Sequence, residues 1–121
     1  MVIMVKLFVY GTLKRGGKLH DVLGNSDYLG NYQTEKRWVL ADFGPYPGLI
    51  PGEDEVKGEL YEVDAVTLKR IDRVEGAPTL FNRSHVNIRP VDGDDYQSVE
   101  TYIFTNVSKL WDYDRTSEWV I

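Results

Sequence analysis

The chain has 121 residues, a formal net charge of −5 and no cysteine. At this length we expect a single domain, residues 1–121, that buries roughly two-thirds of its unfolded surface. The negative charge argues against nucleic acid or an anionic membrane as the main partner. The lack of cysteine excludes thiol catalysis, disulfides and cysteine-ligated zinc.

No apolar stretch approaches the roughly 20 residues that a membrane-spanning helix needs. The N-terminal residues 1–10 lack the basic leading region of a signal peptide and alternate like a strand. We therefore expect a cytoplasmic protein that is soluble, and that is a monomer or a weak homodimer.

Alternating apolar and polar residues predict strands along most of the chain. The predicted strands cover residues 4–10, 28–33, 38–42, 56–62, 81–89 and 99–104. A short helix is predicted at 18–23 and a longer one at 65–75, with Asp64 as its N-cap and Gly76 as its stop. Many strands around one good helix predict an α+β fold, a small mixed β-barrel with flanking helices. The aromatic C-terminal residues 111–121 are expected to pack back on this body.

The first strand runs directly into a glycine, within the sequence Phe-Val-Tyr-Gly-Thr-Leu-Lys-Arg-Gly at residues 8–16. A strand that stops at Gly11 leaves backbone N–H groups without ladder partners, free to face an anion or an oxyanion. Tyr10 either orients a substrate or caps the barrel with its hydroxyl in water. Lys14 and Arg15 could hold a carboxylate, although a solvated loop is the favoured role for two adjacent cations.

Glu75 is the strongest candidate for chemistry. At about 100° per residue it lies within roughly 20° of Leu68 on the helical wheel, in the stripe that should face the core. Burial and the negative end of the helix dipole both favour a raised pKa, which suits a general base. The alternative is that Glu75 tilts outward at a fraying helix end. Asp72 is a weaker candidate, expected to face solvent or to meet Arg83.

The segment at residues 46–50, Tyr-Pro-Gly-Leu-Ile, allows two interpretations. It could form a pocket wall, but the proline and glycine favour an ordinary hairpin turn. His20 and His85 lack the spacing of metal ligands, and no phosphate-loop or dinucleotide-binding pattern is present. The residues alone therefore indicate one perturbed acid and one strand end broken by glycine.

An ordered set of motifs resembles a known family. After residues 8–16 come Tyr-Pro-Gly-Leu at 46–49, Gly-Glu-Leu-Tyr-Glu-Val-Asp at 58–64, Leu-Lys-Arg-Ile-Asp-Arg-Val-Glu-Gly at 68–76 and Phe-Asn-Arg at 81–83. Together they resemble the γ-glutamylcyclotransferase-like superfamily, and more closely its γ-glutamylamine cyclotransferase and AIG2-like branch.

The resemblance implies a small mixed β-barrel with a cavity at one end, and a catalytic acid/base at Glu75. It implies that no metal or cofactor is required and that the partner is a small γ-glutamyl molecule. In such enzymes the α-amine attacks the γ-amide carbonyl, which gives 5-oxoproline and a free amine. The implied substrate-binding residues are Tyr10, Gly11, Thr12, Leu13, Tyr46, Pro47, Gly48, Phe81 and Arg83.

Two departures from the family pattern concern substrate choice. Phe81 stands where the family commonly has tyrosine, and the tyrosine-rich C-terminal extension of the animal enzymes is replaced by residues 109–113 and Trp119. Three functions follow as hypotheses: a cyclotransferase, a binding or regulatory domain of the same fold without turnover, and a different amide-cleaving or acyl-transfer enzyme.

Overall fold

The computed structural model describes residues 3–105 and 113–121. The strands in these residues are Met4–Val9 (β1), Asp27–Thr34 (β2), Trp38–Asp42 (β3), Pro47–Pro51 (β4), Lys57–Asp64 (β5), Phe81–Pro90 (β6), Gln97–Phe104 (β7) and Arg115–Thr116 (β8). A 3-10 helix covers His20–Leu23, and the α-helix α1 covers Ala65–Val74.

Five strands close into a barrel. They are hydrogen-bonded in the order β1-β5-β2-β6-β7, and β1 also pairs with β7 in parallel through Leu7 and Glu100. The strands β4, β3 and β8 extend the sheet from β7, where β4 joins in parallel through Leu49 and Ile103. The predicted α+β fold with a small mixed barrel is confirmed.

The helix α1 follows β5 directly and begins where the sequence predicts. The Asp64 carboxylate accepts a hydrogen bond from the Thr67 N–H at 2.7 Å, which is an N-cap. Gly76 adopts a φ of +66°, a left-handed conformation that glycine accommodates and that ends the helix. The helix ends one residue early, because Glu75 is the C-cap rather than part of α1.

Two predicted elements differ from the structure. The predicted helix at 18–23 is a short 3-10 turn, His20–Leu23. The predicted hairpin turn at 46–50 is wrong, because these residues lead into the buried strand β4, paired with β3 along its whole length. The turn itself occupies the preceding residues 43–46, and the two prolines of β4 stand at the strand ends, where proline is tolerated.

The core on the helix side of the barrel fixes the end of α1. Leu68 and Ile71 are buried in one cluster with Leu7 and Val63 from the first and fifth strands. In the C-terminal part, β8 pairs with β3 and Trp119 packs against a second core cluster, so the described part of the tail packs back as predicted. Residues 106–112 lie outside the described residues. None of the helices in the described ranges has the length and apolarity needed to cross a bilayer.

Candidate active site

A cavity of about 250 Å³ opens where β1 ends and α1 ends. It brings together eight of the ten predicted site residues, from four separate parts of the chain. These eight residues are Tyr10, Gly11, Thr12, Leu13, Tyr46, Pro47, Glu75 and Phe81. Gly48 and Arg83, also predicted as site residues, are not in its lining.

The loop after β1 lines the cavity with Gly11, Thr12 and Leu13. Among the described residues, no hydrogen bond uses the N–H of Gly11, Thr12 or Leu13 as its donor. The loop is held in shape by its carbonyls, because Gly11 O accepts from Lys14 N and Thr12 O accepts from Leu19 N, each at 3.0 Å. Backbone N–H groups of a lining loop that have no protein acceptor are candidates to bind an anionic or carbonyl oxygen.

Glycine at position 11 is required by a close contact. A Cβ atom there would lie 2.7 Å from the Pro47 Cγ atom and 2.8 Å from its Cδ atom. Such distances are shorter than carbon atoms tolerate, so a side chain would push the loop away from β4. Close packing of the loop against Pro47 thus explains why glycine stands at position 11.

The two cations that follow the loop differ from the prediction of a solvated pair. Lys14 is buried, and its Nζ donates to the Trp119 carbonyl oxygen at 2.5 Å. Arg15 is exposed, and its guanidinium stacks over the Tyr28 ring with 3.6 Å to the ring centroid. Neither residue lines the cavity. Lys14 fastens the loop to the C-terminal segment.

Glu75 lies at the other side of the cavity, at the C-terminal end of α1. Its side chain is half-buried, and no hydrogen bond or ion pair within residues 3–105 and 113–121 reaches its carboxylate. Burial raises the pKa of the Glu75 carboxyl to about 7. A carboxyl with this pKa accepts and returns protons readily near neutral pH.

Asp72 precedes Glu75 by one helical turn but has several partners. Its carboxylate accepts hydrogen bonds from Arg83 Nε at 2.9 Å and from Arg83 Nη2 at 3.2 Å. The third nitrogen of the same guanidinium pairs with Glu100. The predicted meeting of Asp72 with Arg83 is therefore confirmed. The guanidinium binds these two carboxylates, and Arg83 does not line the cavity.

Two buried tyrosines, Tyr10 and Tyr102, line the cavity and form hydrogen bonds inside the protein. The Tyr10 hydroxyl donates to the Tyr102 carbonyl oxygen at 2.7 Å and accepts from Leu49 N–H at 3.3 Å. Its hydroxyl is therefore inside the protein and not in water, and Tyr10 is one of the residues that line the cavity. Burial, and to a lesser extent the charge of Glu75, raises the pKa of Tyr10 above its usual range.

Tyr102 is a lining residue that the sequence did not reveal. It is 2% exposed, and its hydroxyl donates to Asp72 Oδ1 at 2.6 Å. Burial raises the pKa of Tyr102 above its usual range, and the Asp72 hydrogen bond and the nearby charge of Glu75 raise it further. Its position depends on strand register, which one sequence does not show: Tyr102 in β7 pairs with Arg83 in β6, so both side chains reach Asp72.

An aromatic wall completes the cavity. The Phe81 ring lies 6.1 Å from the Tyr46 ring and 5.5 Å from the Phe104 ring, measured between centroids. Phe81 is 2% exposed and therefore belongs to the core as well as to the cavity. Gly48 packs closely against a further ring, because a Cβ there would lie 2.6 Å from a ring carbon of Phe43.

The comparison with known proteins identifies the family to which this site belongs. A sequence profile of the family described as "Gamma-glutamyl cyclotransferase, AIG2-like" matches residues 7–120. The chain belongs to this family. The resemblance noted in the sequence, including its closer branch, is confirmed. Membership makes the chain a cyclotransferase-type enzyme, in a family that acts on small γ-glutamyl molecules.

Individual relatives of the gamma-glutamyl cyclotransferase family support the assignment over most of the chain. The gamma-glutamylaminecyclotransferase of Mus musculus is 32% identical over 119 residues, which cover 87% of this chain and 80% of the relative. A Vibrio cholerae relative is 33% identical over 113 residues, 93% of each chain. The crystal structure of an AIG2-like protein from Mus musculus superimposes with a TM-score of 0.87 at 27% identity, covering 97% of this chain and 88% of that one.

Proposed function

We propose that the protein converts a γ-glutamyl amine or γ-glutamyl peptide to 5-oxoproline and a free amine, with Glu75 as general acid/base. The observation that carries this proposal is the pairing of two features across one cavity. On one side is the Glu75 carboxylate, and on the other are the N–H groups of Gly11, Thr12 and Leu13; within residues 3–105 and 113–121 none of them has a hydrogen-bond partner.

The reaction needs few groups because its nucleophile belongs to the substrate. The α-amine attacks the γ-carbonyl carbon, the new C–N bond closes the five-membered ring, and the bond to the leaving amine breaks. A tethered nucleophile has a high effective concentration, so the protein must mainly move a proton and stabilise an oxyanion. Glu75 takes the proton from the α-ammonium group and returns it to the leaving nitrogen.

The loop after β1 supplies the second requirement. The N–H groups of Gly11, Thr12 and Leu13 act as hydrogen-bond donors to the substrate carboxylate or to the tetrahedral oxyanion. Because the loop is fixed against Pro47 and tied to Leu19, these donors need no rearrangement during the reaction. In this proposal the rings of Tyr46 and Phe81 form the wall for the glutamyl methylene groups.

The leaving amine lies towards the apolar rim of the cavity. Val74 and Leu80 line it and are each 41% exposed, so they present apolar surface at its opening. Such a rim suits the alkyl part of a γ-glutamyl amine or the side chain of a γ-glutamyl dipeptide. We propose that the enzyme works in the cytoplasm within a single domain, as a monomer or a weak homodimer.

The test is product identity. Purified protein is incubated with a panel of γ-glutamyl amines and γ-glutamyl dipeptides, and 5-oxoproline, free glutamate and the released amine are quantified together. Equal amounts of 5-oxoproline and amine are expected. Free glutamate as the main product would contradict the ring closure, and binding without any product would contradict turnover. Unchanged turnover in Glu75→Gln would contradict the assigned base.

A further inference from the structure

The Tyr102 hydroxyl is fixed in one direction by its partner. A phenol has one proton to donate and up to two lone pairs that accept. Tyr102 gives its proton to Asp72 Oδ1 at 2.6 Å, a short bond to a charged acceptor. The Tyr102 oxygen can therefore take part in a further hydrogen bond only as the acceptor. In the described ranges, no donor is bonded to that oxygen.

Asp72 is in turn fixed by Arg83. Two guanidinium nitrogens bond the two carboxylate oxygens of Asp72, a forked geometry that sets the carboxylate plane. The remaining nitrogen pairs with Glu100 from the neighbouring strand. The Asp72 side chain is 26% exposed and that of Arg83 is 31% exposed, so solvent competes only in part.

The position of Tyr102 gives this arrangement a role at the cavity. Tyr102 lines the cavity together with Glu75, and the Glu75 charge acts on its hydroxyl. Tyr10 holds the Tyr102 backbone by donating to its carbonyl oxygen. Both ends of Tyr102 are thus anchored, the main chain by Tyr10 and the hydroxyl by Asp72.

We infer that Tyr102 binds the α-ammonium group of the γ-glutamyl substrate through its phenol oxygen, and that Asp72 and Arg83 are positioning residues that keep this oxygen an acceptor. The inference rests on the proposed function, because it assigns a contact to the same substrate. An ammonium group has three N–H donors, and Glu75 accepts only the one that is transferred. Tyr102 accepts a second and keeps the nitrogen beside Glu75 before the proton moves.

The experiment compares two ligands that differ only in the α-amine. These are γ-L-glutamyl-n-butylamide and N-butylglutaramic acid, which lacks the amine. Their dissociation constants are measured by calorimetry at pH 6.5 in a Glu75→Gln background, where turnover is suppressed. Tyr102→Phe is expected to weaken the amine-bearing ligand by about 10- to 100-fold, the range for a hydrogen bond to a charged group. The deamino ligand should change by less than about twofold.

Asp72→Ala provides a second variant in which the Tyr102 ring is intact. It releases the phenol proton to other acceptors and should reduce the preference for the amine-bearing ligand in the same direction. Tyr61→Phe is the matched control, because Tyr61 is also buried and donates to a carboxylate, Glu59 Oε1 at 3.0 Å, but does not line the cavity. It should leave the preference unchanged.

The outcomes separate the two proposals. Equal weakening of both ligands by Tyr102→Phe and Asp72→Ala would mean a merely structural role, and an unchanged preference would mean no contact; either result overturns the inference. If the wild-type protein forms no 5-oxoproline, the proposed function fails. The ligand preference still tests the Tyr102 contact in that case, and a failure of the amine-bearing ligand to bind more tightly than the deamino ligand would overturn the inference alone.

Discussion

Asp72 and Glu75 are two carboxylates one helical turn apart, and their surroundings differ sharply. Asp72 accepts three hydrogen bonds, two from Arg83 and one from Tyr102. Glu75 receives none from the described residues, and burial raises its pKa to about 7. Burial therefore raises the pKa of Glu75 and suits it to exchange a proton, whereas hydrogen bonds hold the Asp72 carboxylate in one orientation.

The largest expected effect is a difference in turnover between variants that remove one or the other of the two carboxylates. Glu75→Gln should lower kcat by about 10²–10⁴-fold, because general acid–base catalysis typically contributes that much. Asp72→Ala should lower kcat/KM by about 10- to 100-fold, chiefly through KM, because it loosens a substrate contact. Steady-state formation of 5-oxoproline measures both. A larger loss of kcat in Asp72→Ala than in Glu75→Gln would reverse the assignment of roles.

A second expected difference concerns stability against pH. The Glu75 pKa is raised from 4.5 to about 7 in the folded state, so the carboxyl is protonated in both folded and unfolded states below pH 4.5. Above pH 7 it is charged in both states, and folding then carries the cost of a desolvated charge. The contribution of Glu75 to stability thus falls as pH rises between these values, by about 3 kcal/mol at most.

Glu75→Gln removes this dependence. The variant should be more stable than the wild type at pH 8 by about 2–3 kcal/mol and nearly equal to it at pH 4.5, because glutamine does not ionise. Urea unfolding of both proteins at several pH values measures the difference, in which the other titrating groups cancel. A difference that does not vary with pH would show that the Glu75 carboxyl is not desolvated. Gain of stability with loss of activity is the usual trade-off at a catalytic group.

Sequence patterns predicted those features of Asp72 and Glu75 that depend on the helix α1 alone. The Asp64 cap, the Gly76 stop and the inward stripe of Leu68 and Ile71 are local features, so they indicated α1 and the inward position of Glu75. The end of β1 close to Gly11 was also apparent from the sequence. Position along a helix did not reveal that Asp72 is saturated with partners, although Arg83 was named as a neighbour.

The features that the sequence did not reveal depend on strands that meet across the barrel. Tyr102 reaches Asp72 because β6 and β7 pair Arg83 opposite Tyr102, a register that one sequence cannot show. Proline and glycine dominate the sequence of β4, and these residues predict a turn. Its pairing with β3 and β7 decided its conformation over those local preferences. The pairing of β6 with β7 likewise brings the Arg83 guanidinium close to Glu100.

The smallest expected effect is the loss in free energy of unfolding when Asp72 no longer binds Arg83 and Tyr102. Asp72→Ala leaves Arg83 with Glu100 alone and removes the acceptor of the buried Tyr102 hydroxyl, so unfolding should become easier by about 2 kcal/mol. This loss is smaller than for a fully buried ion pair because the Asp72 and Arg83 side chains are partly exposed.

A matched control for this loss is Glu118→Ala, which breaks an exposed ion pair with Lys57 at 4.0 Å. It should cost less than about 0.5 kcal/mol in urea unfolding, because water screens such pairs and long side chains lose entropy in forming them. If Asp72→Ala costs no more than Glu118→Ala, the Arg83 fork is only a surface contact. Asp72 would then not be held firmly enough to direct the Tyr102 hydroxyl, and the contrast with Glu75 would rest on burial alone.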